Sequence, residues 1–460
     1  MTIRINKSKL ATGMMIAFLV FAFVGKVMRI DFLMIPSFLA AFATMCLGDN
    51  NYRVGFTFLL ISNIRLFDGL QVSFLVNLLM VMPLVANFLE TRRINFTAMI
   101  HFLILALWET AHTLAMGKVS FFAANMSAIL GVYFTECALT NRNIKLDFAD
   151  LARKLSFGTI FSSVTMMARF ARVGGMQNYF NTYRLTGYGG DANYYSLYLC
   201  LGVAMLLIIP GNHKKRDYVY LFTMIGLILM TFSKMSLVIL LLLLVYFIGK
   251  SIHSILSRKN RFVRRVLMIG VGLTALFSAP LADLIGKTVR RIQEKNGDTI
   301  DIDTITSYRI TIQGFYFDKI INTPDLLLFG YGLQYNQAPL FETYGHVAHN
   351  TLFDIVLAWG LAGVGFFVVI FFSICRQMRK IRTERLTFDH FVPLITLVAS
   401  FTVLSCLDAT MFWWVICAAM LPLKGLRTDE QAAYISDSAG VQRRKIHFRV
   451  RRVAGKANLS

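Results

Sequence analysis

The stretch HVAHNTLFDIVLAWGLAGVGFF, residues 346–367, joins a short polar segment to an apolar run. From Thr351 onward nearly every side chain is apolar, so the run can cross a hydrocarbon core of about 30 Å. The five residues before it include two histidines and an asparagine. The stretch therefore predicts a membrane-spanning helix that carries ionisable groups at one end.

Similar apolar runs recur along the whole chain. Of its 460 residues 56% are hydrophobic and 16% charged, and the mean hydropathy is +0.59. Soluble chains of this length are not so apolar, and a β-barrel shows alternating polarity instead. The sequence predicts an all-α polytopic membrane protein with about 14 transmembrane helices, near residues 11–27, 32–47, 54–66, 70–88, 97–115, 121–139, 155–171, 193–210, 218–232, 235–249, 266–282, 347–374, 391–407 and 409–423.

These spans predict four regions. Residues 1–282 hold transmembrane helices 1–11, residues 283–346 form a large outside loop with short helices, residues 347–423 hold helices 12–14, and residues 424–460 form a basic tail. The first apolar run has no small-residue cleavage site after it, so we interpret it as a retained helix rather than a signal peptide.

The net charge of +22 follows this topology. With the amino terminus inside, 33 of the 47 lysines and arginines fall on the inner side, as the positive-inside rule expects. Both termini are then cytoplasmic. The basic tail is interpreted as a segment that binds anionic lipid heads, so no nucleic-acid partner is predicted. No nucleotide-binding or metal-binding motif is found in the sequence, and the acidic stretch DTIDIDT at 298–304 is interpreted as solvated loop; no metal and no cofactor are expected.

Three cations on the outer side run against the charge bias. Arg184 and Arg309 lie in aromatic and glycine-rich contexts, YRLTGYGG and TSYRITIQGFYF, which favour positioned guanidinium groups. Lys234, in TFSKMS, divides two spans, and a turn whose lysine reaches the interface is an alternative explanation for it. Ordinary solvated loop charge explains the basic residues between Lys287 and Lys295. The three cations are predicted to converge at one membrane face and to bind an anion there.

The polar residues at the start of the quoted stretch are predicted to share one helix face. At about 100° per residue, His346, His349, Asn350 and Asp354 fall on a single stripe. A polar stripe is costly in lipid, so it is expected to face the protein interior or a water-filled cavity, where a histidine can act as a general base. The alternative is a helix terminus at the interface, with Asn350 and His346 capping it or solvated. Gly360, Gly363 and Gly365 are interpreted as sites of close helix packing.

Several of these motifs resemble, in their order and sidedness, the O-antigen polymerase/O-antigen ligase superfamily. The matching features are Ser307 and Arg309, LLFGYG at 327–332 after Pro324, the His349–Asn350 pair, and Trp359–Gly363. Upstream, RLTGYGGDANYYSLYLCLG resembles the family's Arg…Gly…Asn segment. TFSKMS resembles its Thr-x-Ser-Arg-x opening, with Lys234 in place of arginine, and lysine lacks the bidentate fork. The resemblance covers about residues 180–375.

The resemblance implies a metal-independent glycosyltransferase of the bacterial inner membrane, whose large loop is periplasmic. Its substrates would be undecaprenyl-diphosphate-linked oligosaccharides, and its partners membrane lipids and, open to test, a chain-length regulator. We expect a polymerase for O-antigen or a related surface polysaccharide, active in lipopolysaccharide biosynthesis. The alternatives are a ligase that transfers the glycan to lipid A core, and a transporter or flippase of the same lipid-linked sugars.

The resemblance also suggests roles for individual residues. His349 is the expected catalytic base, chosen over His346 because it matches the family's histidine–asparagine pair. Arg184 and Arg309 are expected to bind the substrate diphosphate, with Lys234 as an auxiliary cation. Asn350 is expected to orient substrate or cap the helix, and Asp354 to fix the histidine tautomer.

Overall fold

The computed structural model describes residues 7–70, 94–117, 119–141, 146–173, 184–188, 191–210, 213–256, 309–341, 348–405 and 411–426, together with positions 79, 82, 85, 144 and 286. Every regular element in these residues is helical. Most of the predicted span at 70–88, the whole predicted span at 266–282, nearly half of the predicted loop and most of the basic tail lie outside them.

The α-helices are numbered along the described residues. They are α1 (Lys7–Met28), α2 (Met34–Leu47), α3 (Asn50–Ile61), α4 (Phe96–Ala115), α5 (Phe122–Thr140), α6 (Phe148–Arg172), α7 (Ala192–Leu207), α8 (Lys215–Met230), α9 (Lys234–Leu256), α10 (Arg309–Asn322), α11 (Pro324–Phe329), α12 (Thr351–Ile381), α13 (Val392–Phe401) and α14 (Phe412–Lys424). Short 3-10 turns precede α2, α5 and α13, and two more lie between α11 and α12.

Four helical segments in the described residues are long and apolar enough to cross a membrane: Lys7–Met28, Phe96–Ala115, Val119–Thr140 and Thr351–Ile381. Shorter apolar helices accompany them, among them α7 and α14. An all-helical fold and membrane association are therefore supported. The count of about 14 spans and the inside position of the termini stay predictions.

Side chains at the amino-terminal ends explain where several helices begin. The first backbone N–H groups of an α-helix lack helical partners, and an Asp or Asn side chain just before the helix accepts from them. Asp49, Asn95, Asp147, Asp191 and Asn350 do this for α3, α4, α6, α7 and α12.

The centre of the described bundle is α7, in which nearly every side chain is buried. It packs against α6, α8, α9 and α13. A buried ion pair fixes α6 to α8: the Arg153 guanidinium donates to both carboxylate oxygens of Asp217, at 2.7 and 2.8 Å. A second group of helices, α4, α5 and α12, packs beside α14.

The long helix α12 is broken at Gly360, where φ is 63°. The break leaves the carbonyl groups of Leu357 and Ala358 without the usual helical donors, and the N–H groups of Tyr331 and Gly332 take their place, at 2.8 and 2.7 Å. The segment 330–332, which follows α11 and ends the sequence LLFGYG, thus packs into the break.

The two backbone segments approach each other so closely at this break that only glycine fits. A Cβ on Gly330 would lie 2.4 Å from the Ala358 backbone, and one on Gly360 would lie 2.3 Å from the Leu328 backbone. The packing role predicted for Gly360 is therefore confirmed, and its partner is the end of the short helix α11. The same prediction for Gly365 is wrong, because a Cβ there would meet nothing within 4 Å.

Candidate functional site

Arg184 is held in the short segment that precedes α7. Its Nε donates to the Thr231 carbonyl at 2.9 Å, and its Nη2 donates to Asn193 Oδ1 at 2.9 Å. Asn193 Oδ1 also accepts from Ser233 Oγ at 2.9 Å. These bonds tie the Arg184 segment to the turn between α8 and α9.

Lys234 begins α9 directly after Ser233. The predicted motif TFSKMS therefore contacts the Arg184 segment through its own Thr231 and Ser233. The chain around Lys234 and Arg184 is brought together as the sequence led us to expect, and an auxiliary role for the lysine stays a prediction.

Arg309 is the first residue of α10 and is half-buried. Burial lowers the pKa of its guanidinium, the positive charge of Arg184 lowers it further, and Asp191 raises it. Within the described residues, the Arg309 guanidinium takes part in no hydrogen bond or ion pair. The structure therefore places Arg184 close enough for its positive charge to act on Arg309.

The guanidinium of Arg184 is also partly withdrawn from water. Burial lowers the pKa of Arg184, and Asp191, an exposed residue, raises it. Two like charges that are withdrawn from water repel, and the cost falls when an anion binds both. The arrangement suits a ligand that carries more than one negative charge.

His349 precedes α12 instead of lying in it. The helix begins at Thr351, with Asn350 in an extended conformation as its cap. His349 has φ of 52°, in the left-handed region that a non-glycine residue seldom adopts. The predicted helical stripe is therefore wrong for His349 and Asn350: the asparagine side chain stops the helix from extending backwards.

Asn350 has the capping role, one of the two expected for it. Its Oδ1 accepts from the N–H groups of Leu352 and Phe353 at 3.0 and 3.3 Å. His346 lies outside the described residues, so its place relative to His349 stays a prediction.

Asp354 is buried one turn inside α12. Its Oδ1 accepts from the Tyr335 hydroxyl at 2.6 Å and from Ser405 Oγ at 3.1 Å. Burial and the charge of Asp354 raise the pKa of Tyr335 well above its ordinary value, so the tyrosine stays a donor. These bonds fix the start of α12 against two neighbouring segments, whereas the expected effect of Asp354 on the tautomer of His349 stays a prediction.

Gln313 connects the arginine helix to the histidine. It lies one turn after Arg309 on α10, and its side-chain amide donates to the carbonyl groups of His349 and Thr402 at 3.4 and 3.3 Å. Residues one turn apart share a helix face, so the Arg309 end of α10 lies beside the His349 segment. Arg184, Arg309 and His349 therefore belong to one region, although they come from three separate parts of the chain.

The sequence analysis missed Glu109, a fully buried carboxylate on α4. It accepts from the Leu333 N–H at 3.1 Å, from Trp359 Nε1 at 3.0 Å and from Asn125 Nδ2 at 2.7 Å. The carboxylate thus ties α4, α5, α12 and the segment after α11 together just below the break at Gly360. An acidic residue inside the predicted span 97–115 was the signal that could have revealed it.

The chain matches no protein-family model. No curated protein is significantly similar to it. The function therefore rests on the site itself and on the motif resemblance.

Proposed function

We propose that the protein is a metal-independent glycosyltransferase that extends a glycan carried on polyprenyl diphosphate, as a polymerase of O-antigen or a related surface polysaccharide. The observation that supports this most is the pair of half-buried arginines, Arg184 and Arg309, next to the His349 segment. A diphosphate leaving group needs positive charge where its negative charge develops, and two guanidinium groups can supply it.

In the proposed reaction, the acceptor sugar hydroxyl attacks the anomeric carbon of the donor glycan. The bond from that carbon to the diphosphate oxygen breaks, and the electron pair leaves with the diphosphate. Arg184 and Arg309 stabilise this departing charge. His349 takes the proton of the attacking hydroxyl, a role that histidine side chains commonly have in general-base catalysis.

The local structure explains how the parts would keep their positions. Asn193 fixes Arg184 through its side chain, and Gln313 fixes the His349 carbonyl from the helix that begins with Arg309. Holding reacting groups in place removes part of the entropic barrier of a two-substrate reaction.

The test is chain extension by the purified protein in lipid nanodiscs, with a synthetic polyprenyl-diphosphate oligosaccharide as donor and acceptor. We expect longer lipid-linked glycans without added nucleotide and in the presence of a chelator. Transfer only when lipid A core is supplied would replace the polymerase by the ligase. No transfer to either acceptor, with several repeat-unit structures tried, would contradict the proposal.

A further inference from the structure

The described segment from α10 to α11 has an exposed apolar face. The large apolar side chains Ile310, Phe317 and Ile321 are 53, 51 and 55% exposed on α10, and Leu328 and Phe329 are 47 and 50% exposed on α11. We infer that this segment lies in the membrane interface, with these five side chains among the acyl chains of the lipid. The inference is independent of the proposed reaction.

Around its axis, helix α10 has three kinds of surface: a buried side, an exposed apolar side and an exposed polar side. Its protein-facing side is buried and carries Ile312, Tyr316 and Ile320. Ile310, Phe317 and Ile321 fall within about 60° of one another on the exposed side, by the helical period. This arrangement separates a buried face, which packs on the protein, from an apolar face whose side chains are about half exposed.

The third sector of α10 is polar. Thr311, Asp318 and Asn322 are exposed as well, and they lie about 90° around the helix from the apolar stripe. A helix in water has no need to sort its exposed residues in this way. A helix at a bilayer surface does, because one exposed side meets acyl chains and the other meets water.

The apolar stripe also continues onto helices that are apolar and long enough to span the membrane. Phe317 stacks on Phe353 of α12, with ring centroids 6.5 Å apart. Next to Phe353, Leu352 is 50% exposed.

The ring centroids of Phe329 on α11 and Trp108 on α4 lie 6.2 Å apart. Leu107, next to Trp108, is 70% exposed. Trp108 is about 10 Å from the Ala115 end of α4, at about 1.5 Å per residue. A helix that enters the membrane at Ala115 would therefore place Trp108 near the 5–10 Å to which interfacial helices are buried. Lipid that covers the exposed side of α4 therefore also reaches α11.

The test compares neighbouring positions by spin labelling. A ketone-bearing unnatural amino acid is introduced at Ile321 or Asn322, and at Phe317 or Asp318 as a second pair, so that the native cysteines stay in place. The labelled full-length protein is reconstituted in phospholipid nanodiscs. Collision of the label with oxygen, which dissolves in lipid, is compared with collision with a water-soluble nickel chelate.

We expect the ratio of oxygen to nickel accessibility to be several-fold higher at 321 than at 322, and at 317 than at 318. Similar ratios within each pair, with high nickel accessibility, would show that both sectors face water and would overturn the inference. Low accessibility to both reagents at 317 and 321 would show that protein covers the stripe, either this chain or a second copy, and would also overturn it.

Discussion

Two arginine sites in this protein show what a partner does to a buried charge. Arg153 donates to both oxygens of Asp217, and hydrogen bonding to this carboxylate raises the pKa of the arginine. Burial and the charge of Arg184 lower the pKa of Arg309, and Asp191 raises it. The first site is an ion pair between two side chains of the protein, whereas under the proposed function the second is completed by the diphosphate of the substrate.

The comparison separates stability from function. Breaking the Arg153–Asp217 pair leaves a buried charge alone, so the cost falls on folding. Removing Arg309 relieves a repulsion in the folded protein, so the cost falls on the reaction. The following predictions test this division, beginning with the largest expected effect.

His349→Asn removes the proposed base at the arginine site and is expected to lower the rate of glycan extension by about 10²–10⁴-fold. Asparagine tolerates the left-handed backbone conformation of this position, so the local fold should persist. The measurement is the rate of chain extension in nanodiscs, with thermal stability followed alongside. A variant that extends glycans at the parental rate would exclude His349 as the base.

Asp217→Asn breaks the completed site and is expected to cost about 3–5 kcal/mol of stability. Activity at a temperature where the variant remains folded should be close to that of the parent. Unfolding of the detergent-solubilised protein measures the loss.

The matched control is Asp389→Asn, which weakens the more exposed Lys250–Asp389 pair. It should cost about 1 kcal/mol or less. Equal losses in the two variants would show that burial does not distinguish these ion pairs.

Arg309→Ala is expected to remove about 2–4 kcal/mol of transition-state stabilisation, a loss of about 30- to 1,000-fold in rate, without lowering stability. Arg309→Lys should fail nearly as badly if the contact is bidentate, since lysine cannot offer the planar fork. Lys319→Ala, on the same helix, is the control and should leave the rate unchanged. A destabilised Arg309→Ala protein with normal activity per folded molecule would make Arg309 a structural residue like Arg153.

Gly360→Ala tests the packing that positions the start of α12 beside the arginine helix. The left-handed conformation alone costs about 1–3 kcal/mol for a residue with a Cβ, and the Cβ would also overlap the Leu328 backbone. Gly365→Ala, on the same helix with open space around it, should be neutral in the same thermal unfolding measurement. Equal thermal stability of the two variants would show that the close approach at Gly360 does not stabilise the break in α12.

Much of the helix layout was predictable because it follows from local apolarity. The span expected at 97–115 is helix Phe96–Ala115, and that expected at 121–139 is Phe122–Thr140. Ends are less predictable, since a single side chain can decide them. The span containing α12 was predicted to begin at 347, but the helix begins at Thr351. The reason is that Asn350 accepts from the first N–H groups of the helix and His349 adopts a left-handed conformation.

The candidate site was predictable in its residue types but not in its contacts. Arginines in predicted outside loops and a histidine beside a predicted span favour anion binding and proton transfer where they lie close together. That Gln313 would reach the His349 carbonyl, or that Glu109 would bind Leu333 and Trp359, depends on how distant helices pack. No periodicity within a segment carries that information.

The sequence by itself determined that this chain is apolar and helical, with helices suited to a membrane, because hydrophobicity and helical propensity act over a few turns. The tertiary structure alone decided which arginine is paired with a carboxylate and which lies near another positive charge. Arg153 and Arg309 are the same residue type. Their electrostatic surroundings differ because Asp217 lies beside the first and Arg184 lies near the second. That difference arises because the energy of a buried charge depends on its neighbours in space, which folding brings from remote parts of the chain.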